Sequence, residues 1–435
     1  MKYLLSIVLA AVVIAAGSCS RPNGPADGEN SSVVSYASTS DTTAVQSETV
    51  NQTESSITVD SSTTTTNSGG NAMTTTTART TTTTPKQSMS TTAGANPTES
   101  KTFELYLEQY HPGIPGFDAR YTLRAEYDGL PVRAADIQYS CSLSDVRIDN
   151  NQVTIPESVR NQGQAVTITG KHINGAVREL SIPMRQWKIA FEDDFEGDAL
   201  DTSKWAPFEV GVDYGGDSVT VEDCYEIGDG VLSLKVNNEP VTIGGKTFSL
   251  TSAAISTYRA FSLKNGCFLA SIKVPKEAGV NSAFWLMPKP YIGWGRCYSF
   301  YSESQPNIGC GEIDILEYSN AWNGKYQTTE HFWNRDTGAH HSDMAEGLVE
   351  NITTEFHVYG AVIEEDAAYY YCDGELVKVN DDVTMTGEGN KRSLESFMLL
   401  SLHIGPREGG WLGAWDFDDS AFPLYMDVDW VRAYE

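Results

Sequence analysis

The stretch Gly311-Glu312-Ile313-Asp314-Ile315-Leu316-Glu317 places three acids close together in the chain. Glu312 and Asp314 alternate with Ile313 and Ile315, so in a β-strand the acids share one face and the isoleucines the other. Strict alternation would turn Glu317 to the apolar face. One extra residue, a β-bulge, returns Glu317 to the side of the other acids, and bulges often re-aim side chains beside active sites. The stretch therefore predicts a bulged strand with three carboxylates on one face.

Carboxylates on a shared face repel one another, which gives a purely structural strand no advantage. A retaining glycosidase needs such a pair, because one ionised carboxylate attacks the anomeric carbon and a second, protonated one assists the leaving oxygen. Like charges close together raise the pKa of one member of the pair, which supplies the acid. The same pattern also fits a solvated surface of an acidic chain. A cation site is a further alternative, although Ca²⁺ and Mg²⁺ usually take more oxygen ligands than these.

Outward from this stretch, residues 187–435 are dominated by short strand-like runs. The clearest runs are Val231–Val236, Phe268–Val274, Phe356–Ile363, Ala368–Cys372, Phe397–Leu402 and Val428–Tyr434. Helical periodicity is scarce and no alternation of strands with helices is visible. These features predict an all-β fold, with one large antiparallel β-sandwich or jelly roll over this region.

Residues 102–186 have a similar texture on a smaller scale. Alternating runs such as Tyr121–Ala125 and Val166–Thr169 are separated by turn signals such as Asp128-Gly129. The size and spacing predict a small immunoglobulin-like β-sandwich. Such a domain acts either as a carbohydrate-binding module or as a spacer, and we favour a spacer because nothing in the segment marks a ligand site.

The N-terminus predicts export. Met1-Lys2 precedes an apolar run from Leu4 to Ala16 that is too short to span a membrane as a mature helix. Ala16-Gly17-Ser18 then precedes Cys19, an order that resembles a bacterial lipoprotein signal in which the cysteine is lipidated. Ordinary signal-peptide cleavage is the alternative, because Ala16 stands where lipoprotein signals usually carry Leu. We expect residues 1–18 to be a signal peptide of a secreted, surface-anchored bacterial protein whose only membrane contact is a lipid anchor.

Residues 19–101 are predicted to form a linker. Ser and Thr dominate this segment, with runs such as Thr63–Thr66 and Thr80–Thr84. A segment of this composition buries too little apolar surface to fold. It predicts a flexible, Ser/Thr-rich stalk behind the anchor.

The net charge and the distribution of tryptophan limit the classes of molecule that this protein is expected to bind. The formal net charge of −28 argues against nucleic acid, whose phosphates require Lys and Arg, and would repel anionic polysaccharides. A neutral glycan fits best, although an acidic balance also simply favours solubility. All nine Trp lie after residue 186, which suggests a sugar-binding surface, although core packing accounts for most tryptophans in β-proteins. We expect a monomer.

Six cysteines remain after Cys19. Cys297 and Cys310 bracket one short loop and are the best candidates for a disulfide in an exported protein. The spacing does not indicate zinc, since the chain carries neither CxxC nor HExxH. No cofactor is expected for catalysis.

The stretch Glu312–Glu317 resembles the signature of glycoside hydrolase family 16, in the bulged form typical of laminarinases and agarases. The likeness continues in order over about 187–435. It is carried by Phe191–Phe195, Leu200–Trp205, Ile272–Pro275, Ala283–Pro288, Phe356–Gly360, Asp373–Glu375 and Asp427–Arg432. The family implies a concanavalin A-like jelly roll, with Glu312 as nucleophile, Glu317 as acid/base and Asp314 tuning both.

The resemblance also implies substrate-binding residues. Trp285 would be a stacking platform in the cleft, with a core tryptophan as the alternative. His331 and Trp333 resemble the family's His and Trp near the cleavage point, and Trp411 resembles a Trp of a later loop. Trp294, on a loop that is long for the family, is a further candidate. A structural Ca²⁺ on the convex side would be held by Glu192, the Gly230 backbone and Asp429.

Several positions depart from the family pattern. Leu269-Ala270-Ser271 replaces the usual Glu-x-Arg of a middle strand, Asn307–Cys310 replaces a usual Trp-Pro, and Ser401 replaces a common Asn. None of these touches the three acids, so the departures bear on sugar and linkage specificity.

The sequence as a whole predicts a retaining endo-β-glycosidase that acts on a β-1,3- or mixed-linked glucan. An endo-β-galactosidase acting on galactan or mucin-type glycans is the nearest enzyme alternative. A wall-remodelling transglycosylase and a non-catalytic glycan-binding protein are the others, and the latter would typically lose one of the carboxylates.

Overall fold

The computed structural model describes residues 102–289, 310–333, 340–381 and 394–435. The predictions for residues 1–101, including the lipidation of Cys19, and those for Trp294 and Cys297 lie outside the described residues. Strands account for most of the described chain, so the all-β prediction is confirmed. No described helix is long and apolar enough to cross a membrane.

Two small sheets occupy the described residues before Trp187. The first contains β1 (Phe103–Leu107), β2 (Ala119–Tyr127), β3 (Leu130–Pro131), β5 (Arg147–Asp149) and β6 (Gln152–Ile155); the second contains β4 (Ile137–Cys141), β7 (Val166–His172) and β8 (Val177–Ile182). A one-turn helix, α1 (Glu157–Arg160), follows β6. Alternating apolar residues such as Leu123, Val153 and Ile168 fill a core of their own. The immunoglobulin-like assignment and the domain bounds remain predictions.

Two eight-stranded sheets, with a separate hairpin, make up the rest of the described chain. We call the first the site sheet, and its strands lie in the order β10-β16-β25-β18-β19-β20-β21, with β11 beside β16. They are β10 (Ala206–Pro207), β11 (Ser218–Thr220), β16 (Leu250–Ser256), β18 (Val280–Pro288), β19 (Cys310–Tyr318), β20 (Lys325–Trp333), β21 (His340–Leu348) and β25 (Ser396–Ile404).

We call the other the second sheet, with the order β12-β13-β26-β17-β22-β23-β24 and β9 beside β26. Its strands are β9 (Ile189–Asp193), β12 (Tyr225–Gly228), β13 (Val231–Val236), β17 (Gly266–Lys273), β22 (His357–Ile363), β23 (Ala368–Cys372), β24 (Glu375–Asn380) and β26 (Leu424–Tyr434). A separate hairpin pairs β14 (Val241–Ile243) with β15 (Lys246–Phe248).

One large apolar core joins the two sheets, as the sequence predicted for a jelly roll. Alternation along β18 explains the layering: Phe284 and Leu286 belong to this core, whereas Ala283, Trp285 and Met287 belong to a separate cluster on the other side of the site sheet. We call that other side the distal face. All nine residues of β18 are buried, because this central strand is covered on both faces.

The second sheet is also covered on both faces. Its face away from the main core carries a third apolar layer, in which Ile114 of the small sandwich packs with Cys267, Leu269 and Tyr371. Gly374, in the turn after β23, has φ +82°, and a Cβ there would lie 2.6 Å from the ring of Phe117. The loop between β1 and β2 is therefore seated directly on the sandwich that holds the site.

Hydrogen bonds and one ion pair surround the apolar layer between the small sandwich and the second sheet. The indole of Trp187 donates to the carbonyl of Gly113 at 3.2 Å, and the side chain of Arg185 bonds Glu364 at 3.0 Å. Arg160 is fully buried, and its Nη2 donates to the carbonyls of Ile114 and Phe117 at 2.5 and 2.7 Å. Burial lowers the pKa of that guanidinium. A desolvated cation thus fixes the seated loop.

Candidate active site

Strand β19 carries the bulge that the spacing of the acids predicted. Against β18, Asp314 lies opposite Trp285 and Leu316 lies opposite Phe284, so Ile315 has no partner of its own. Against β20, the ladder passes from Asp314 opposite Thr329 to Glu317 opposite Gln327. On both sides three steps along β19 match two steps along its neighbour. The extra residue falls between Asp314 and Glu317.

The bulge brings the acids to one face. Asp314 lies opposite Trp285 and Glu317 lies opposite Ala283, two residues further along β18. Positions two apart on a regular strand face the same way, so Asp314 and Glu317 share the distal face. Glu312, two residues before Asp314 in the regular part of the ladder, shares it as well. Ile313, Ile315 and Leu316 join the main core.

Glu317 lies in surroundings that favour the protonated acid. Burial raises the pKa of Glu317 to about 8, and the negative charge of Asp314 adds to the rise. The side-chain amide of Asn281 donates to Oε1 of Glu317 at 3.3 Å and opposes part of it. Burial also raises the pKa of Asp314. A carboxyl that holds its proton at neutral pH can protonate a leaving oxygen.

A histidine on the next strand contacts the middle acid. His331 lies opposite Glu312 in the ladder, and its Nε2 lies 3.2 Å from Oδ2 of Asp314, although the N–H is not aligned on that oxygen. Nδ1 of His331 lies 2.8 Å from Nε2 of His340 on β21. The structure thus brings His331 to the carboxylates, as the family resemblance implied, and adds His340.

Potential ligand atoms of Glu312, Asp314 and His331 lie within 4.8 Å of one another. Such a group could hold a metal ion, which is the cation alternative considered for the sequence. The spacing equally suits a nucleophile whose carboxylate is held by a neighbouring acid and imidazole.

Trp285 is buried on the distal face, and its indole donates to Oγ of Ser401 at 3.1 Å. The ring packs edge-on with Phe208, at 6.4 Å between centroids. Ser401 is the position that departs from the family's common Asn. The departure supplies an acceptor for the indole, which fixes the orientation of that ring directly across from Asp314.

Trp411 is more than half exposed, at 56%, in the loop after β25. Its ring lies 5.3 Å from that of Trp322, and the indole of Trp322 donates to the backbone carbonyl of Trp411 at 2.8 Å. Trp322 belongs to a 3₁₀ turn (Asn320–Trp322) soon after Glu317. The pair forms an aromatic surface that follows the Glu317 end of β19. Trp333 ends β20, and only its backbone position is described.

Glu209, Tyr214 and His403 also lie near the site, although no sequence pattern predicted them. The ring of Tyr214 stacks on that of His403, with 5.0 Å between the centroids. Burial is the main reason that the pKa of Tyr214 lies well above its usual value. The negative charges of Glu209 and Glu312 also raise the pKa of the Tyr214 hydroxyl. Glu209 and Tyr214 both have positive φ, 48° and 47°, which is costly for residues with a side chain. Such strain often marks functional loops.

His403 extends the distal face on β25, opposite Asn281 on β18. It is 9% exposed, and burial lowers the pKa of its imidazole to about 4. Its Nδ1 has no hydrogen-bond partner among the described residues. A neutral ring nitrogen within the buried face is suited to bond a sugar hydroxyl.

The residues predicted to hold Ca²⁺ belong to two strands of the second sheet and to one of its turns. Glu192 of β9 is exposed and lies opposite Arg432 of β26, and Asp429, also on β26, accepts from Oγ of Ser271 at 3.4 Å. Gly230, in the β12–β13 turn with φ +74°, lies beside Glu196. Carboxylate and carbonyl oxygens are the ligands that Ca²⁺ takes, so the donor set fits the ion. The calcium site remains a prediction.

Two packed, mainly antiparallel sheets with a bulged, carboxylate-bearing strand define a β-sandwich of the carbohydrate-active type. Residues 214–431 match the family model for glycosyl hydrolases family 16, and the chain belongs to that family. The family resemblance noted from the sequence, including the jelly-roll fold, is confirmed.

Two curated relatives are similar to this region. The glucan endo-1,3-beta-glucosidase A1 of Niallia circulans is 28% identical over 275 residues, covering 57% of this chain and 38% of that protein. The keratan-sulfate endo-1,4-beta-galactosidase of Sphingobacterium multivorum is 23% identical over 257 residues, covering 59% of this chain and 57% of that protein. The chain thus spans less than two thirds of either relative.

A solved structure shows the same fold. It comes from work on endo-acting O-glycanases that members of the human gut microbiota express to initiate mucin breakdown. It has a TM-score of 0.50 and 24% identity, covering 57% of this chain and 91% of that chain.

Proposed function

We propose that the chain is a retaining endo-β-glycosidase that hydrolyses a neutral β-1,3- or mixed β-1,3/1,4-glucan. The observation that carries the proposal is the bulge in β19, which turns Glu317 to the face of Glu312 and Asp314. Membership of the glycosyl hydrolases family 16 and similarity to a glucan endo-1,3-beta-glucosidase support it.

In the proposed mechanism, Glu312 attacks the anomeric carbon while Glu317 gives its proton to the leaving oxygen. A covalent glycosyl-enzyme results. Glu317, now ionised, takes a proton from water, which then attacks the same carbon and releases Glu312 with net retention. Asp314 hydrogen-bonds the nucleophile and adjusts the charge of both glutamates. A cation at Glu192, Gly230 and Asp429 would stabilise the fold and take no part in this chemistry.

The test is digestion of a polysaccharide panel by the wild type and by Glu312→Ala. The panel contains a β-1,3-glucan, a mixed-linked glucan, a β-galactan, a keratan-type chain and mucin. We expect oligosaccharides from a neutral glucan with the wild type alone, and the β-anomer as first product by NMR. Glu226→Ala is the matched control, because Glu226 is an exposed glutamate of the second sheet paired with Lys235. Equal release by Glu312→Ala would refute the enzymatic assignment.

An endo-β-galactosidase is the second candidate, and similarity to the Sphingobacterium galactosidase favours it. Release of oligosaccharides from the galactan, the keratan-type chain or mucin, with none from either glucan, would show that the protein is an endo-β-galactosidase. Product length separates hydrolysis from transglycosylation, because a transferase forms chains longer than its substrate. A non-catalytic glycan-binding protein would release nothing from any arm while still retaining a glycan in a pull-down.

We further propose that the protein is a monomeric, secreted lipoprotein of the bacterial surface, anchored through Cys19. The order of residues around Cys19 supports this proposal. Mass spectrometry of the mature N-terminus should detect a diacylglyceryl-cysteine, and Cys19→Ala should move the protein from the membrane fraction to the medium.

A further inference from the structure

Two imidazoles link the middle catalytic acid to the edge of the site sheet. Nε2 of His331 lies 3.2 Å from Oδ2 of Asp314, and Nδ1 of His331 lies 2.8 Å from Nε2 of His340. The planes of the two histidine rings are inclined at 24°, with centroids 5.0 Å apart. The distance of 2.8 Å between the two nitrogens is that of an N–H···N hydrogen bond. Asp314 is buried, His331 is partly exposed and His340 is exposed, so the three groups lead outward.

Resting on the proposed function, we propose that His340 is a positioning residue for the reaction. It holds His331 against Asp314 and completes a path by which the proton of Asp314 exchanges with solvent. No such role follows from the carboxylate signature, because His340 lies on β21, two strands away from β19.

The proton balance along this path is simple. Protonated Asp314 gives its proton to Nε2 of His331 as the Nδ1 proton of His331 passes to Nε2 of His340. His340 then loses its Nδ1 proton to water. At the end Asp314 is ionised and accepts from His331, and His331 accepts from His340. The reverse steps return the proton, and no group besides the three and water changes its charge.

The exchange has a purpose in a double displacement. Glu317 loses its proton in the first half of the cycle and regains it in the second. An ionised Asp314 beside an ionised Glu317 would be repelled, and the charge of Asp314 does act on Glu317. A path to solvent lets Asp314 take up a proton when Glu317 has lost one, and release it when Glu317 is protonated again. The unaligned N–H of His331 is compatible with this role, because such bonds often tighten only when substrate binds.

Several titratable groups lie around His340. His331 of β20 contacts it directly, Glu312 and Asp314 lie beyond His331 on β19, and His341 is its neighbour on β21. Burial, helped by His331 and His341, lowers the pKa of His340. A neutral His340 can both donate and accept, which a proton path needs. Asp343, the nearest acid of β21, is paired with Lys378 at 2.9 Å.

Three variants test the proposal on the substrate that the wild type cleaves. His340→Ala removes both the support and the path, whereas His340→Gln keeps a side-chain amide that can hold His331 but cannot pass a proton on. His341→Ala is the matched control, because His341 is exposed on the same strand and its ring faces Phe332 instead, at 6.5 Å. Both positions lie on the edge strand β21, so folding of all three variants is checked by circular dichroism and melting temperature.

We expect His340→Ala to lose about tenfold in kcat, the effect of one lost hydrogen bond that orients a charged catalytic group. KM should change little, and the pH profile of kcat should shift. Added imidazole should restore much of the loss for His340→Ala and none for Glu312→Ala. His340→Gln should keep the KM and melting temperature of the wild type without keeping its pH profile. His341→Ala should keep the wild-type kcat, because the hydrogen bond between His331 and His340 remains.

A wild-type kcat and pH profile in His340→Ala, with no response to imidazole, would overturn the proposal. A loss of kcat with an unchanged pH profile and no rescue would overturn it too, since it would show support of the strand alone. Failure of the proposed function is distinguishable, because the wild type would then release no sugar. In that case pH titration of the His331 ring nitrogens by NMR, with and without His340→Gln, tests the path directly, and unchanged curves would count against it.

Discussion

Glu317 is held where its carboxyl keeps a proton at neutral pH, because burial and Asp314 together raise its pKa to about 8. We predict that kcat/KM falls as the pH rises through about 8, when Glu317 loses the proton it must donate. Asn281→Leu removes the hydrogen bond that stabilises the ionised carboxylate of Glu317. The pKa of Glu317 should therefore rise, and the fall in kcat/KM should move to higher pH. A pH–rate profile of both proteins checks this, and an unmoved limb in Asn281→Leu would contradict the assignment.

His403 makes a separate residue-scale prediction, which concerns stability. Its folded pKa of about 4 lies below the usual 6.5, so the unfolded chain binds the proton more readily between these values. Stability is therefore present above pH 6.5 and is lost as the pH falls towards 4, by about 3 kcal/mol in all. His403→Gln should remove much of this loss in melting curves from pH 7 to 4. His341→Gln, an exposed histidine, serves as the control, and equal acid sensitivity of His403→Gln and the wild type would disprove the idea.

Strand β19 shows how much a short spacing can predict at the scale of an element. Glu312 and Asp314 at period two, with Glu317 three further on, required one extra residue for a shared face, and the ladder has it at Ile315. Tyr214, His403 and His340 could not be predicted in this way. Tyr214 comes from a loop, and His403 and His340 come from strands β25 and β21, whose place in the sheet brings them towards the acids. The order of strands in a sheet cannot be predicted from a local sequence pattern.

The bulge itself supplies an element-scale prediction. Deleting Ile315 makes the ladder continuous with both β18 and β20 and leaves Glu317 on the distal face. With the bulge at Ile315 retained, inserting one alanine between Leu316 and Glu317 should instead turn Glu317 into the apolar core. We expect the deletion to keep measurable activity, at a stability cost of about 2 kcal/mol for the lost Ile315 side chain, and the insertion to abolish activity. Circular dichroism and glycosidase assays compare the pair, and a folded but inactive deletion variant would contradict the prediction.

The small sandwich and the site-bearing sandwich share an apolar layer at the scale of the whole molecule. Arg160 fixes the seated loop by bonding the carbonyls of Ile114 and Phe117. We predict that Arg160→Ala lowers the stability of the site-bearing sandwich by about 3 kcal/mol, because two buried carbonyls lose their donor. Arg147→Ala, which breaks an exposed pair with Asp118, should cost under about 1 kcal/mol. Calorimetry and thermal inactivation of the glycosidase measure both, and equal melting temperatures would refute the coupling.

That shared layer was not visible in the sequence. The composition predicted two β-regions joined near residue 186, and the described strands β1–β8 and β9–β26 fall on either side of that point. Ile114, Phe117 and Arg160 belong to no motif, and their burial depends on how two separately patterned sandwiches meet. A spacer that contributes to the core of its neighbour differs from one that only sets a distance.

The bulged strand has a practical consequence for anyone who wishes to alter the sugar preference. Glu312 and Glu317, the proposed nucleophile and acid/base, are carried by one strand between β18 and β20, whereas Tyr214, Trp322 and Trp411 come from turns and loops outside it. Transplanting those segments between relatives should exchange recognition while the reacting pair keeps its separation. If the proposed activity holds, directed evolution of sugar preference is best confined to these loops and turns, and strand β19 is best left unchanged.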